Sequence, residues 1–164
     1  MDYPETTNGQ FLAISSVLTG FGATELQATG SADPIWSTCV AIVGAPILGD
    51  LLTACGALFA ANDDLDKLEK AFAKGVIADP CFGPVAKNVI GAWYTGIWYP
   101  LPSAWCDAYG SSGSDGTFVI SPSLYKAGLQ WKAFGGTPRA GVPSGHGAWN
   151  RPPLTPIDTN APKP

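Results

Sequence analysis

The apolar residues of this chain recur mainly at spacings of three and four, which is the pattern of helices that bury one face. The strongest run predicts a helix over residues 84–97. Its apolar face consists of Val85, Val89, Ile90 and Trp93. A shorter run predicts a helix over residues 11–18 that ends at Gly20. We therefore expect an all-α fold, with a single small helical domain.

Two further helices are predicted in the most apolar part of the chain, residues 34–61. Asp33 and Pro34 form a helix start, because Asp caps the first turn and Pro fits the first helical position. Residues 44–46, Gly-Ala-Pro, end this helix, and the next one covers residues 46–61. A membrane span needs about 20 apolar residues in one helix. The interruption therefore favours a helical hairpin buried in a core or an interface, and no membrane span.

Residues 62–74 carry the local signals of a helix that faces water. Asn62 is a candidate N-cap and Gly75 a candidate stop. Acidic residues lie in the positive first turn and lysines near the negative end. The expected i,i+4 ion pairs are Asp63–Lys67 and Asp66–Lys70, and the expected apolar stripe is Leu65, Leu68 and Phe72.

The chain divides by composition into three parts. Residues 1–10 are polar and expected to be loose. Residues 11–134 form the helical domain, which contains a Gly/Ser loop at 110–116. Residues 135–164 form a long, irregular tail in which Gly and Pro dominate, and such a segment cannot bury a core of its own.

The C-terminal region contains a predicted short helix and a tail that is expected to make contacts. Ser121 and Pro122 are a candidate cap for a short helix that runs to about Trp131. The tail holds Trp149 and Arg151, which are rarely placed in a tail without a contact. We expect the tail to lie along a surface, the chain's own or a partner's, and the predicted fold has it wrap a partner.

Charge is unusually sparse in this chain. Charged residues make up 13% and hydrophobic residues 46% of the sequence, whereas a typical domain carries about 25% charged residues. No Lys or Arg precedes Lys67. Either the protein has a neutral extracellular surface, or a partner covers much of it. The net charge of −4 argues against nucleic acid and against anionic membrane surfaces.

Four cysteines, none in a C-x-x-C motif, argue against zinc ribbons, thioredoxin-type motifs and c-type haem attachment. Their even number and wide spacing suit two disulfides in an oxidising compartment. We favour the pairs Cys39–Cys55 and Cys81–Cys106, and four buried free thiols are the alternative. No leader follows Met1, so the protein is either cytosolic or an exported protein whose leader has been removed; the cysteines favour export.

Few residues here can perform catalysis. The single histidine, His146, lies in a Gly-rich stretch that supplies neither a partner nor a rigid support. The sequence contains no G-x-S-x-G and no H-E-x-x-H motif. Asp107 and Asp115 could bind a cation near the loop, but acidic loop residues are usually only solvated. We predict no catalytic, cofactor-binding or metal-binding residue in this chain.

Aromatic residues are dense between positions 93 and 105. Trp93, Tyr94, Trp98, Tyr99 and Trp105 lie in this stretch. A core helix followed by a packed turn would explain them. They could instead anchor an interface, since Trp and Tyr dominate interface hot spots, or stack on sugars.

Four motifs resemble a known family. The opening segment 11–20, Phe-Leu-Ala-Ile-Ser-Ser-Val-Leu-Thr-Gly, and the segment 92–97, Ala-Trp-Tyr-Thr-Gly-Ile, are similar to the first helix and the Trp-Tyr-x-Gly motif of the small subunits of bacterial FAD-dependent sugar and polyol dehydrogenases. That family is also named gluconate 2-dehydrogenase subunit 3. Residues 123–131 resemble its short helical stretch, and residues 147–153 its closing motif.

The resemblance implies a non-catalytic subunit without a flavin. It implies that a twin-arginine leader exports this subunit together with a folded large subunit of the GMC type, which holds FAD, with an iron–sulfur cluster as a further candidate there. Electrons are expected to pass to a cytochrome c subunit with haem c or to another acceptor, and the location is the periplasm. The family's cysteine before the closing motif is missing here, which puts a covalent link at that point in doubt.

The resemblance also implies where a partner binds. Direct contact with the large subunit, or the packing that shapes that contact, is expected at Trp93, Tyr94, Trp98, Trp131, His146, Trp149 and Arg151. The alternative function is a free-standing secreted carbohydrate-binding protein that uses exposed aromatic rings. A small enzyme centred on His146 is a third hypothesis.

Overall fold

Helices form nearly all of the regular structure, which confirms the all-α prediction. The computed structural model describes residues 3–112 and 114–136. The helices are α1 (Thr7–Thr19), α2 (Ala23–Ala28), α3 (Ala32–Val43), α4 (Ala45–Ala61), α5 (Leu65–Phe72), α6 (Phe82–Thr95), α7 (Ser103–Tyr109), α8 (Pro122–Ala127) and α9 (Leu129–Ala133). Two short strands, β1 (Ile97–Trp98) and β2 (Phe118–Val119), pair antiparallel. The tail lies outside the described residues from position 137 onwards.

Helix α1 lies at the centre of the fold and contacts each helix from α2 to α6. Its N-terminus is capped by Thr6, whose hydroxyl accepts a hydrogen bond from the amide of Gly9. The expectation that residues 1–10 are loose is therefore wrong from Thr7 onwards. Tyr3 is also fixed, because its hydroxyl donates to the carbonyl of Leu52 at 2.8 Å and its ring packs on Phe59.

The predicted break between α3 and α4 is confirmed. Gly44 adopts a φ of +92°, which favours glycine, and the helices on either side are bent by 120°. Helix α3 begins slightly earlier than expected, with Ser31 rather than Asp33 as the N-cap. Within the described residues no single helix is long and apolar enough to cross a membrane, and α3 and α4 meet that test only as a bent pair.

The helix predicted over residues 62–74 begins later and ends differently. Asp64 caps α5 by accepting from the amide of Lys67, and Asn62 instead donates its side-chain amide to the carbonyl of Leu58 in α4. The helix does not end at Gly75, because a π-helical turn, Ala73–Ile77, continues α5.

The surface of α5 agrees only in part with the predicted pattern. The ion pair between Lys67 and Asp63 forms at 3.4 Å. The expected pair of Asp66 and Lys70 is not among the ion pairs of the described residues. Leu68 and Phe72 are buried as expected, but Leu65 is 46% exposed, since it lies in the first turn beyond the core.

Short elements complete the fold around α6. The predicted helix over residues 84–97 is present as α6, and Gly96 ends it at a φ of +70°. Ser121 caps α8 as predicted, accepting from the amide of Leu124. Gly128 separates α8 from α9, where one continuous helix was expected. The short α2 and α7 and the two strands were not predicted.

Motif core and candidate partner interface

The first two family-like motifs meet in the centre of the molecule. The indole Nε1 of Trp93 in α6 donates to the hydroxyl of Ser15 in α1 at 2.9 Å, and both side chains are buried. The hydroxyl of Thr19 donates to the carbonyl of Ser15 at 2.7 Å. Phe11 stacks on Trp93 with a centroid distance of 6.3 Å. The polar groups of these two motifs thus satisfy each other inside an apolar core.

The third motif packs against the same helix end. The hydroxyl of Tyr94 donates to the carbonyl of Thr19 at 3.0 Å. A Cβ on Gly96 would lie 2.6 Å from the backbone nitrogen of Tyr125 in α8, so only glycine allows this approach. The indole of Trp131 donates to the carbonyl of Tyr125 at 2.8 Å. Segments 11–20, 92–97 and 123–131 therefore form one packed unit, which we call the motif core.

The predicted interface aromatic residues differ in burial. Trp93 is 2% exposed and Trp98 is 0% exposed, so neither indole is available to a partner in this structure. Both indoles belong to the hydrophobic core of the described residues. Tyr94 and Trp131 are half-buried at the edge of the motif core.

The remaining predicted interface residues belong to the tail. His146, Trp149 and Arg151 lie outside the described residues.

Asp115 fastens the Gly/Ser loop to the second buried tryptophan. Its Oδ1 accepts from the indole of Trp98 at 3.0 Å, and its Oδ2 accepts from the amide of Leu101 at 2.9 Å. The thiol of Cys106 lies 3.7 Å from the same Oδ2. Both carboxylate oxygens are thus occupied by donors, which makes Asp115 a structural residue. No group of three metal-ligating side chains occurs among the described residues, and Asp107 is exposed.

All four cysteines are free thiols in this structure, which therefore does not test the two expected disulfides. Burial raises the pKa of both Cys39 and Cys55 to about 12. The pKa of Cys81 is also raised, by burial and then by the negative charges of Asp79 and Asp50. Thiols whose pKa is raised are poor nucleophiles at neutral pH. The disulfide pairing stays a prediction that thiol counting with and without reductant tests.

The solvent-exposed side of α4 is nearly free of charge. This helix is about 25 Å long. Its exposed residues lie on one side of the helix and are small or polar, with Asp50 the one charged residue among them. They are Ala45, Pro46, Gly49, Asp50, Thr53, Ala57, Ala60 and Ala61. We call this surface the α4 face. Depletion of charge is typical of interface centres, and small side chains let another backbone approach closely.

A second exposed surface surrounds the two strands, and it was missed at the sequence level. Tyr99 is 45%, Phe118 38% and Val119 52% exposed. Phe118 lies opposite the buried Trp98 in the strand pair. The aromatic density of residues 93–105 pointed to this region, but it could not separate the buried rings from the exposed ones.

Comparison of the chain with protein-family models, with curated proteins and with solved structures gives no match. The resemblance to dehydrogenase small subunits therefore rests on the short motifs alone.

Proposed function

We propose that this protein is a non-catalytic accessory subunit of a periplasmic FAD-dependent dehydrogenase that oxidises a sugar, a polyol or a related alcohol. In this proposal it serves the export, maturation and stability of the large flavin-containing subunit. FAD belongs to that subunit, and so does the iron–sulfur cluster if one is present. Electrons leave through a cytochrome c subunit with haem c.

The α4 face is the observation that carries the proposal. A solvated helix of 17 residues ordinarily displays several Lys, Glu or Arg side chains, but α4 has one charged residue. The buried side of α4 is satisfied by the core through Leu48, Leu51, Cys55 and Phe59. Packing against the described residues therefore does not account for the missing charge on its exposed side. Contact with a large, mainly uncharged protein surface accounts for it.

The motif core supports the same proposal in a different way. The three segments that resemble the family pack together at the junction of α1, α6 and α8. The resemblance thus concerns residues that fix the fold, and a shared fold is what a shared docking surface needs. The tail residues Trp149 and Arg151, outside the described part, are the expected additional contacts.

The experiment is co-purification from the native periplasm with a tagged chain, followed by an absorbance spectrum. A co-purifying protein of several hundred residues with flavin bands near 450 nm is expected, as the resemblance implies. The variant Thr53→Lys/Ala57→Lys places two charges on the α4 face and should lower the recovered flavin at least about tenfold, which corresponds to about 1.4 kcal/mol of binding free energy.

The matched control is Ala104→Lys/Ala108→Lys, which adds the same two charges to exposed positions on α7. It should keep the recovery of the unmodified chain. Recovery of a colourless monomer, or equal loss in both variants, would contradict the proposal.

A second candidate function, carbohydrate binding, is favoured by the exposed rings of Tyr99 and Phe118 beside the strand pair. Such rings can stack on the apolar faces of sugars. The buried Trp93 and Trp98 take no part in this alternative. Sugar titration of the variant Tyr99→Ala/Phe118→Ala separates the two functions, because only the carbohydrate-binding function requires these rings.

A further inference from the structure

The proposed function does not use a groove between α1, α6 and the π-helical turn. Its volume is about 480 Å³. Its walls are aliphatic, with Val17 and Leu18 at the end of α1, Ile77 in the turn and Ile90 in α6. The turn is π-helical because the amide of Ala78 donates to the carbonyl of Ala73, five residues earlier.

The groove also carries one charge of each sign. Glu69 of α5 and Lys87 of α6 both line it and are both exposed. Neither appears in an ion pair among the described residues. An occupant that complements the groove therefore combines an aliphatic stretch with one cation and one anion.

The tail of this chain contains such a stretch. Residues 151–158 read Arg-Pro-Pro-Leu-Thr-Pro-Ile-Asp, so a cation and an anion flank an apolar run with one threonine. Charge favours the same pairing at the scale of the chain. Three of the nine Lys and Arg residues, but one of the thirteen Asp and Glu residues, lie in residues 137–164. That segment carries a net +2 and the rest of the chain a net −6.

The last described helix, α9, contacts the segment that follows Gly20 of the groove. Lys132 in α9 pairs with Glu25 of α2 at 2.7 Å, and α2 begins three residues after Gly20, which lines the groove. Fourteen residues lie between Gly136 and Arg151. A fully extended segment of that length reaches at most about 46 Å, at about 3.3 Å per residue. That span is about three times the ~14 Å radius of gyration of a body of this size.

We propose that residues 151–158 of the same chain bind in this groove in the isolated protein, with Arg151 facing Glu69 and Asp158 facing Lys87. Leu154 and Ile157 fill the aliphatic space between the two ion pairs. A Pro-rich segment loses little conformational freedom when it binds, which favours an intramolecular contact of this size. The proposal concerns the chain alone, so it holds or fails independently of any dehydrogenase.

Methyl NMR of the full chain tests the proposal. The variant Leu154→Ser/Ile157→Ser should shift the methyl signals of Val17, Leu18, Ile77 and Ile90 and leave those of Val40 and Val119, which lie outside the groove. Glu69→Arg should move the groove methyls in the same direction. Adding Arg151→Glu to Glu69→Arg should return them to their original positions, because the ion pair is restored with reversed charges.

The matched control is Glu69→Arg/Arg139→Glu, which reverses a tail arginine outside the binding segment and should not return the signals. Unchanged groove methyls in Leu154→Ser/Ile157→Ser would overturn the proposal, as would equal restoration by the two tail reversals. Groove signals that depend on protein concentration would assign the groove to the tail of a second copy and would also overturn it.

Discussion

At the residue scale, the hydrogen bond between Trp93 and Ser15 shows why these two residue types occupy their positions. Both side chains are buried, and a buried donor without an acceptor costs more than a hydrogen bond contributes when it forms. The pattern of apolar residues identified Trp93 as an inward-facing residue of a helix. It could not identify Ser15 as the acceptor, because the two residues are 78 positions apart and meet only in the folded chain.

We expect Ser15→Ala to lower the free energy of unfolding by about 1–3 kcal/mol, because it leaves the indole N–H of Trp93 buried without an acceptor. Ser16→Ala is the control, since Ser16 is less buried and its hydroxyl has no such partner in the described structure. Its effect should stay within about 0.5 kcal/mol. Urea unfolding followed by circular dichroism measures both, and equal effects would contradict the assigned role of the hydrogen bond.

The buried thiols Cys39 and Cys55 predict a pH dependence in the reduced protein. An unfolded thiol ionises near pH 8.5, and burial raises the pKa of both to about 12 in the folded chain. Their contribution to stability is therefore complete below about pH 8.5 and falls as the pH rises towards 12, because the unfolded state releases the proton first. Each thiol should cost about 2 kcal/mol of stability by pH 10.

Urea unfolding at pH 8 and pH 10, with reductant present, measures this loss. Cys39→Ala lowers stability at both pH values through the lost packing, but it should remove about 2 kcal/mol of the loss between pH 8 and pH 10. The rest of the loss remains, because Cys55 and Cys81 also have raised pKa values. The same slope in this variant and in the unmodified chain would show that Cys39 does not ionise on unfolding in this range. Measurements stop at pH 10 because Tyr3, whose pKa burial also raises, contributes above that value.

At the scale of elements, the position at the end of α6 requires glycine for two separate reasons. Gly96 adopts a φ of +70°, and a Cβ there would lie 2.6 Å from the backbone nitrogen of Tyr125. Gly20 at the end of α1 has a similar φ of +76°, but a Cβ there would meet nothing within 4 Å. A substitution at Gly20 therefore tests backbone strain alone, whereas one at Gly96 tests backbone strain together with the close approach of α8.

We expect Gly20→Ala to cost about 1–2 kcal/mol, the usual cost of a left-handed conformation for a residue with a Cβ. Gly96→Ala should cost more, because α8 must also move away from α6. Thermal unfolding of the two variants measures the difference. Equal melting temperatures would mean that the contact with Tyr125 relaxes without cost.

The elements found from the sequence are those whose signals agree with each other. The break at Gly44 was predicted because glycine and proline lie together between two apolar runs. Asn62 was chosen as a cap from local sequence, but Asp64 provides the cap and Asn62 completes α4 instead. Gly75 was predicted to end the helix, but it lies within the π-helical turn. Helices as short as α2 and α7 carry too few apolar positions to show a period.

At the scale of the whole molecule, the contacts of α1 with five other helices make one cooperative core. Ile14 of α1 is 2% exposed, so Ile14→Ala should cost about 2–5 kcal/mol. Because the core is shared, far-UV circular dichroism and tryptophan fluorescence should report the same unfolding midpoint in this variant. Val119→Ala, at an exposed position, should change stability by less than about 0.5 kcal/mol. Separate midpoints would divide the described fold into independent units.

The candidate interface could be predicted only in general terms. Sparse charge left a covered surface and a neutral extracellular surface both open, and the apolar pattern of residues 34–61 did not show which side of each helix faces out. That assignment needs the positions of α1 and α5, which take up the buried side of α4. The dense aromatic stretch contains both the exposed Tyr99 and the buried Trp98, and the sequence alone could not separate them.

The absence of lysine from the α4 face also affects how the protein can be immobilised on a surface. Every described lysine side chain belongs to α5, the π-helical turn, α6, α8 or α9, and none belongs to α1–α4. Coupling to a sensor chip or a resin through these described lysine amines therefore attaches the molecule at these elements and not at α4. A capture experiment that uses them leaves the α4 face without a point of attachment.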